Sequence, residues 1–303
     1  GARRVLGDVH DGQAVLDRWI LNIGGLPGGR IIGNSGWEGT GKTTLAASMM
    51  AACQRDGGVV LVQDSEYKLD PAWCQKTCGL DLGAAVLLQA DHLQDFFVAV
   101  EAAVEAIRSR DKDRPILAVL DSVACTPTER EVKEGLTGES AIGEKARIMS
   151  QKFGGPVQKW CAENNVTLLV LNQLRQKIGV MFGDSTTEPG GNAVKFAASV
   201  MLRLHPVVKG SVKRGDEVIG RLVGVKTRKQ QVGPPYRDCK LKLVFGRGFD
   251  DAWAVVEHAK DQGVVPEGTK VDEVGLAMAL QSLGWADAKV KLLEGPTGKE
   301  EVE

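Results

Sequence analysis

Apolar positions along the chain fall into two kinds of run, and their alternation predicts the architecture. Segments of strand length lie at 30–35, 59–63, 86–89, 116–120 and 166–171, purest in apolar residues at 116–120 and 166–171. Between them, apolar residues recur three or four positions apart. Leu45, Met49 and Ala52 do so within 42–54, and Phe96, Phe97, Val100, Val104 and Ile107 within 93–107. Met149, Phe153, Val157, Trp160 and Cys161 form a third such series. An unbroken apolar run suits a strand buried on both faces, whereas the wider spacing lines one side of a helix. Strands separated by helices of this length predict βαβ crossovers and a mostly parallel central sheet. Gly154-Gly155-Pro156 interrupts the third series, which predicts a kink or split there.

From residue 198 the pattern changes. Strands are predicted over 199–204, 218–225 and 240–245, joined by short turns that carry Gly210, Gly215 and Gly233-Pro234-Pro235. Short connections join antiparallel neighbours, so these strands extend the same sheet in antiparallel fashion. Helices follow over 251–262 and 272–283, then a polar tail.

Composition narrows the class without choosing a function. The 303 residues are 43% hydrophobic and 25% charged, which excludes disordered and collagen-like chains. Net charge is −1, so any affinity for a polyanion must come from a local cluster. Such a cluster exists: residues 195–247 hold 13 basic and 3 acidic side chains, while 250–303 hold 5 basic and 12 acidic. A basic face shadowed by an acidic appendage fits this as well as a simple solvated tail does. No apolar run reaches the length of a membrane span, no secretory leader is visible, and a cytoplasmic location is expected. Cys53, Cys74, Cys78, Cys125, Cys161 and Cys239 contain no C-x-x-C pair and read as free thiols.

The chemistry is concentrated at strand ends. Gly36-Trp37-Glu38-Gly39-Thr40-Gly41-Lys42-Thr43 satisfies G-x-x-x-x-G-K-[ST], and Thr44 follows it, between a predicted strand and a predicted helix. In that context backbone N–H groups face phosphate oxygens, Lys42 reaches the terminal phosphates and the Thr43 hydroxyl ligates Mg²⁺. Asp121 closes the 116–120 strand, at the carboxyl end where parallel sheets carry ligand contacts, and is the second residue expected at the metal. Asp64 and Glu66 close the neighbouring strand; Glu66, with the longer arm, is the expected base for the attacking water. Gln173 ends the 166–171 strand with an amide able to sense a γ-phosphate.

Two polar loops stand out, at about 134–143 and 174–191. The second mixes Arg175 and Lys177 with Ile178, Val180, Met181 and Phe182, side chains that a solvated loop avoids. Cations for phosphates beside apolar groups for base faces suit single-stranded nucleic acid, and a partner-protein interface explains the loops equally well at this level.

These residues resemble the bacterial RecA recombinase family. Gly25-Leu26-Pro27-Gly28-Gly29-Arg30-Ile31 leads into the phosphate loop as in that family. Asp64-Ser65-Glu66-Tyr67-Lys68-Leu69-Asp70-Pro71 is similar to its D-A-E-x-x-L-D-P segment. Leu120-Asp121-Ser122 resembles its Walker B strand. Residues 172–183 and 190–196 resemble its second DNA-binding loop and the exit from it. The likeness covers roughly 16–249.

The resemblance implies an α/β fold: a RecA-type P-loop ATPase core over 25–249, a short N-terminal arm over 1–24 and a C-terminal helical appendage with an acidic tail over 250–303. It implies a DNA-dependent ATPase that forms a helical filament on single-stranded DNA with ATP and Mg²⁺, pairs it with homologous double-stranded DNA and exchanges strands. By position, Asp70 and Trp73 contact adenine. Ile142 and Ile178 wedge between bases, and Lys177 and Met181 belong to the same loop surface. Arg147, Arg175, Gly190, Gly191 and Asn192 contact the DNA backbone. Phe196 packs on a neighbouring protomer. The family's pair of interface lysines falls in Arg228-Lys229-Gln230-Gln231, where Lys229 keeps one position and Gln231 replaces the other, a loss expected to slow hydrolysis unless Arg228 substitutes. A RecA-fold ATPase without strand exchange (a helicase or recombination mediator) and a nucleotide-switched scaffold are the alternatives.

Overall fold

The computed structural model describes residues 5–6, 14–135, 143–176, 186–290, 292–293 and 301–302. Strands in chain order are β1 (Val5–Leu6), β2 (Leu26–Pro27), β3 (Ile31–Gly36), β4 (Val59–Asp64), β5 (Val86–Leu87), β6 (Ile116–Asp121) and β7 (Val166–Gln173). They continue with β8 (Arg175–Gln176), β9 (Thr186–Thr187), β10 (Val200–Arg214), β11 (Glu217–Gln230), β12 (Asp238–Val244), β13 (Gly248–Asp250) and β14 (Glu301–Val302). The helices are α1 (Lys42–Arg55), α2 (Pro71–Cys78), α3 (Leu93–Arg108), α4 (Glu129–Glu134), α5 (Glu144–Phe153), α6 (Pro156–Asn164), α7 (Ala193–Ala197), α8 (Asp251–Asp261) and α9 (Glu273–Ser282).

The main sheet runs in the order β13-β12-β11-β10-β3-β7-β6-β4-β5, with β14 paired to β10. The block from β10 through β3, β7, β6 and β4 to β5 is parallel, and β10 to β13 are joined antiparallel. Both halves follow the expected change of pattern near residue 198. Alternate residues of each parallel strand feed two cores. Val60, Val62, Leu117, Val119, Leu169 and Leu171 pack with α1, α2 and α8 on one face. Leu61, Ala118, Leu120, Leu168 and Val170 pack with α3, α5 and α6 on the other. At about 25 cal/mol per Å² of buried apolar surface, these two layers dominate the stability of the sheet.

Local chemistry sets the helix ends. Asp70 caps α2 through Trp73 N (2.7 Å), Pro71 opens it and Gly79 closes it in the left-handed region. The Gly154-Gly155-Pro156 break separates α5 from α6, with Gly155 at φ 146°. Residues Leu16–Leu21 form a π-helix buried against the first core, and His258 of α8 sits between Trp19 and Trp285 at 4.9 and 5.5 Å centroid separation. The thiols are free as expected, and only Cys125 is exposed. Among the described residues no helix is long and apolar enough to cross a membrane.

Candidate active site

The parallel order brings the carboxyl ends of β3, β4, β6 and β7 side by side, and backbone bonds tie their tips together. Ser65 N donates to Asp121 O (2.7 Å), Val123 N to Leu171 O (3.3 Å) and Leu174 N to Gly36 O (3.1 Å). A cleft of about 190 Å³ opens there, lined by Glu38, Gly39, Gly41, Lys42, Thr43, Thr44, Glu66, Lys68, Asp121 and Gln173. Seven of the predicted phosphate-site and catalytic positions thus share one wall with Thr44, Asp121 and a lysine that sequence reasoning did not single out.

The 36–43 loop has the shape that its motif demands. Gly41 caps α1 at φ 77°, and a Cβ there would meet Leu243 at 3.0 Å and Phe249 at 3.1 Å, so neither backbone nor neighbours admit a side chain. Gly36 and Thr40 are buried beneath the loop, and Trp37 stands outside the cleft wall. Trp37 O accepts from Thr40 Oγ1 (2.7 Å) and Lys42 Nζ (2.8 Å), so the loop holds its own lysine folded back. Arg221 Nη1 reaches across from β11 to Gly39 O (3.1 Å). Burial, only partly offset by Asp121 and Glu66, keeps the Lys42 ammonium below the ordinary lysine range.

Thr43 Oγ1 donates to Asp121 Oδ2 at 2.8 Å. Burial drives the Asp121 carboxyl up to about 6, against the bond from Thr43. A hydroxyl and a buried carboxylate side by side are hard oxygen donors, a set that fits Mg²⁺. Among the described residues no cluster of three His, Cys, Asp or Glu side chains suits a metal.

Glu66 is the most heavily engaged group of the cleft. Its Oε1 accepts from Ser122 Oγ (2.7 Å) and Gln173 Nε2 (3.0 Å), and its Oε2 pairs with Lys68 Nζ. Burial pushes this carboxyl up, but Lys68 and Ser122 outweigh it and hold it below the usual glutamate value. The Gln173 contact joins two residues that the sequence placed on separate strands for separate tasks. Asn172, next to Gln173, donates from Nδ2 to Pro189 O (2.8 Å), tying the same strand end to the far side of the second loop. Ser122 and Asn172 lay inside the resembling segments without a role of their own, and Arg221 carried no motif signal; their contacts arise from strand adjacency.

Asp70 and Trp73 lie at the start of α2, outside the residues that line the cleft. Asp70 is spent on the helix cap, and Trp73 is half-buried against the first core. Phe196 is 73% exposed, while Lys229 donates to Lys195 O (3.2 Å) and Phe196 O (2.7 Å) and is held below its ordinary pKa by burial. Arg228 and Gln231 are exposed beside them, on a surface separate from the chain's own cleft.

Of the expected DNA contacts, Ile142, Lys177, Ile178 and Met181 lie outside the described residues. Arg147 is exposed on the first turn of α5 and Arg175 is exposed in β8, which pairs with β9 to form the stem of the second loop. Gly190 turns at φ 80° against Val123 and Met149, where a Cβ would stand 3.0 and 3.2 Å away. Gly191 adjoins Ala146, the neighbour of Arg147, and Asn192 opens α7. A second, polar cleft of about 170 Å³ lies here, lined by Thr186, Thr187, Glu188, Gly191, Asn192, Lys195 and Arg203.

Comparison with known proteins agrees with this geometry. Residues 4–250 match the family model of the RecA N-terminal domain. The chain is 39% identical over 260 residues to Protein RecA of Acinetobacter baylyi, covering 85% of this chain and 70% of that protein. It is 37% identical over 298 residues to Protein RecA of Psychrobacter cryohalolentis, covering 97% and 80%. Protein RecA of Thioalkalivibrio sulfidiphilus is 37% identical over 260 residues, 85% of this chain and 71% of that protein.

Proposed function

The chain belongs to the RecA family, and from that premise we propose that it is an ATP-dependent DNA recombinase whose nucleotide cleft governs its grip on single-stranded DNA. In this reading it polymerises on the strand, pairs it with homologous duplex and exchanges strands, working in the cytoplasm. The bond from Gln173 to Glu66 carries the proposal. It links the catalytic carboxylate to the strand end that leads into the second loop, and Asn172 holds that loop's exit from the same place.

The mechanism follows from the groups in the cleft. The loop from Gly36 to Thr43 cradles the phosphates, and Lys42 leaves Trp37 O to meet the terminal ones. Thr43 and Asp121 would hold Mg²⁺, which would supply positive charge at the phosphate oxygens. A γ-phosphate presents new acceptors to Gln173, and turning the amide toward them releases one of the bonds on Glu66 Oε1. Glu66 then accepts a proton from the water that attacks the γ-phosphorus as its bond to the bridging oxygen breaks and ADP takes that oxygen, and departure of the freed phosphate ends the signal. Lys229 of an adjoining protomer would add charge at the transferring group, at the expense of its two carbonyl partners. Gln231 offers no second cation, a loss expected to slow turnover unless Arg228 substitutes.

ATP hydrolysis measured with and without single-stranded DNA, followed by joint-molecule formation between homologous DNAs, tests the proposal. DNA stimulation together with pairing is expected. Stimulation without pairing would assign a motor or mediator instead, and hydrolysis indifferent to DNA would assign a scaffold.

A further inference from the structure

Resting on the nucleotide reading above, we propose that Lys68 is a γ-phosphate-binding residue that, in the empty cleft, latches the catalytic carboxylate through Glu66 Oε2.

Local backbone chemistry aims this lysine. Asp64 accepts from Glu66 N (3.2 Å) and Leu69 N (2.8 Å), stapling a tight turn after β4. Tyr67, at its centre, takes φ 53° and leaves its side chain 95% exposed. The turn folds residue 68 back over residue 66, so Lys68 lines the cleft rather than the outer surface.

The pair it makes there is not a surface decoration. Glu66 has only 6% of its side chain exposed, against 52% for Lys68. A buried carboxylate needs donors: Ser122 and Gln173 serve Oε1, Lys68 serves Oε2, and the Cys125 thiol lies beside them. Lys42, the other cation of the cleft, is turned to Trp37 O. With both oxygens engaged, the carboxylate has its main proton-accepting direction occupied by an ammonium. The ammonium is also the mobile member of the pair, on a half-exposed four-carbon stem in the same cleft as the phosphate loop. A terminal phosphate carries more charge and more acceptor oxygens than Glu66, so it draws Lys68 away and opens Oε2 to water. A nucleoside diphosphate, ending one phosphate short, leaves the latch shut. Lys68 thereby supplies a cation within the chain's own cleft where Gln231 supplies none from outside.

Affinities of the whole chain for AMP-PNP and for ADP, each with Mg²⁺, test this in wild type, Lys68→Met and Lys68→Arg. Loss of one charge-assisted contact should weaken AMP-PNP about tenfold in Lys68→Met and change ADP by less than about twofold, with Lys68→Arg restoring most of the difference. Glu66→Gln, which frees the ammonium, should tighten AMP-PNP, and that gain should vanish when Lys68 is also Met. Equal weakening of both nucleotides, or unchanged AMP-PNP affinity, would overturn the latch and leave nucleotide binding standing. A wild-type chain that binds neither nucleotide would overturn the nucleotide reading and the latch with it.

Discussion

Asp121 shows how burial shifts a single residue of the cleft. Its carboxyl, driven up to about 6, is raised above the ordinary aspartate value, so the group favours the folded state in its neutral form. That contribution is complete below about pH 4 and lost as pH rises through 6, where Thr43 and Lys68 only partly offset the burial of the charge. In the proposed reading, Mg²⁺ with a nucleotide would supply further countercharge. The rise in melting temperature caused by Mg²⁺-nucleotide should therefore be larger at pH 7.5 than at pH 5.5, and Asp121→Asn should abolish most of the difference. Thermal shift across that range checks it. Lys42→Ala, removing the cation that answers the terminal phosphates, should lower turnover by at least about 100-fold in a steady-state assay. Residues of this cleft differed in legibility for a physical reason. Lys42, Thr43 and Asp121 sit where a strand–loop–helix pattern and strand ends put them, whereas the direction of Lys68 depends on the left-handed turn at Tyr67, which no hydrophobic pattern conveys.

At the scale of elements, the parallel strands were legible because most carry short apolar runs, with Ile31-Ile32 marking β3 ahead of the phosphate loop, and observed bounds differ from expected ones by a residue or two. The antiparallel pair was legible only in part. β10 runs to Arg214 and β11 to Gln230, well past the apolar stretches that announced them. Register shifts at Met201/Leu202, Pro206/Ser211 and Val212/Lys213 break the two-residue alternation on which such a reading depends. The Leu16–Leu21 helix escaped notice because π geometry departs from the 3.6-residue period. Its packing yields a prediction. His258, buried between Trp19 and Trp285, is pushed down to about 4 by burial first, with Arg237 adding to it. Its neutral form stabilises the docking of α8 against the Leu16–Leu21 helix above about pH 6.5, and this is lost as pH falls through 4, up to about 3 kcal/mol in all. Tryptophan fluorescence and denaturant midpoints should fall across that window, and His258→Phe should flatten the dependence. A midpoint unchanged between wild type and variant would remove the histidine from the account.

For the whole molecule, charge and topology point the same way. A chain of net charge −1 has little long-range pull on DNA, so its affinity must come from a local face multiplied over many copies. Arg175 sits in the stem formed by β8 and β9, and the Gly190-Gly191 turn that follows adjoins Ala146, the neighbour of Arg147. Arg175→Ala should weaken single-stranded DNA binding and reduce the salt dependence by about one phosphate contact, with nucleotide affinity retained. Fluorescence anisotropy over a salt series reads both. The link between this face and the nucleotide is the short path through Glu66, Gln173, Asn172 and Pro189. It is tested most directly by the affinity for one oligonucleotide at fixed salt with AMP-PNP, with ADP and with no nucleotide. The path predicts binding at least about tenfold tighter with AMP-PNP than in either other state, and equal affinity in all three would contradict it.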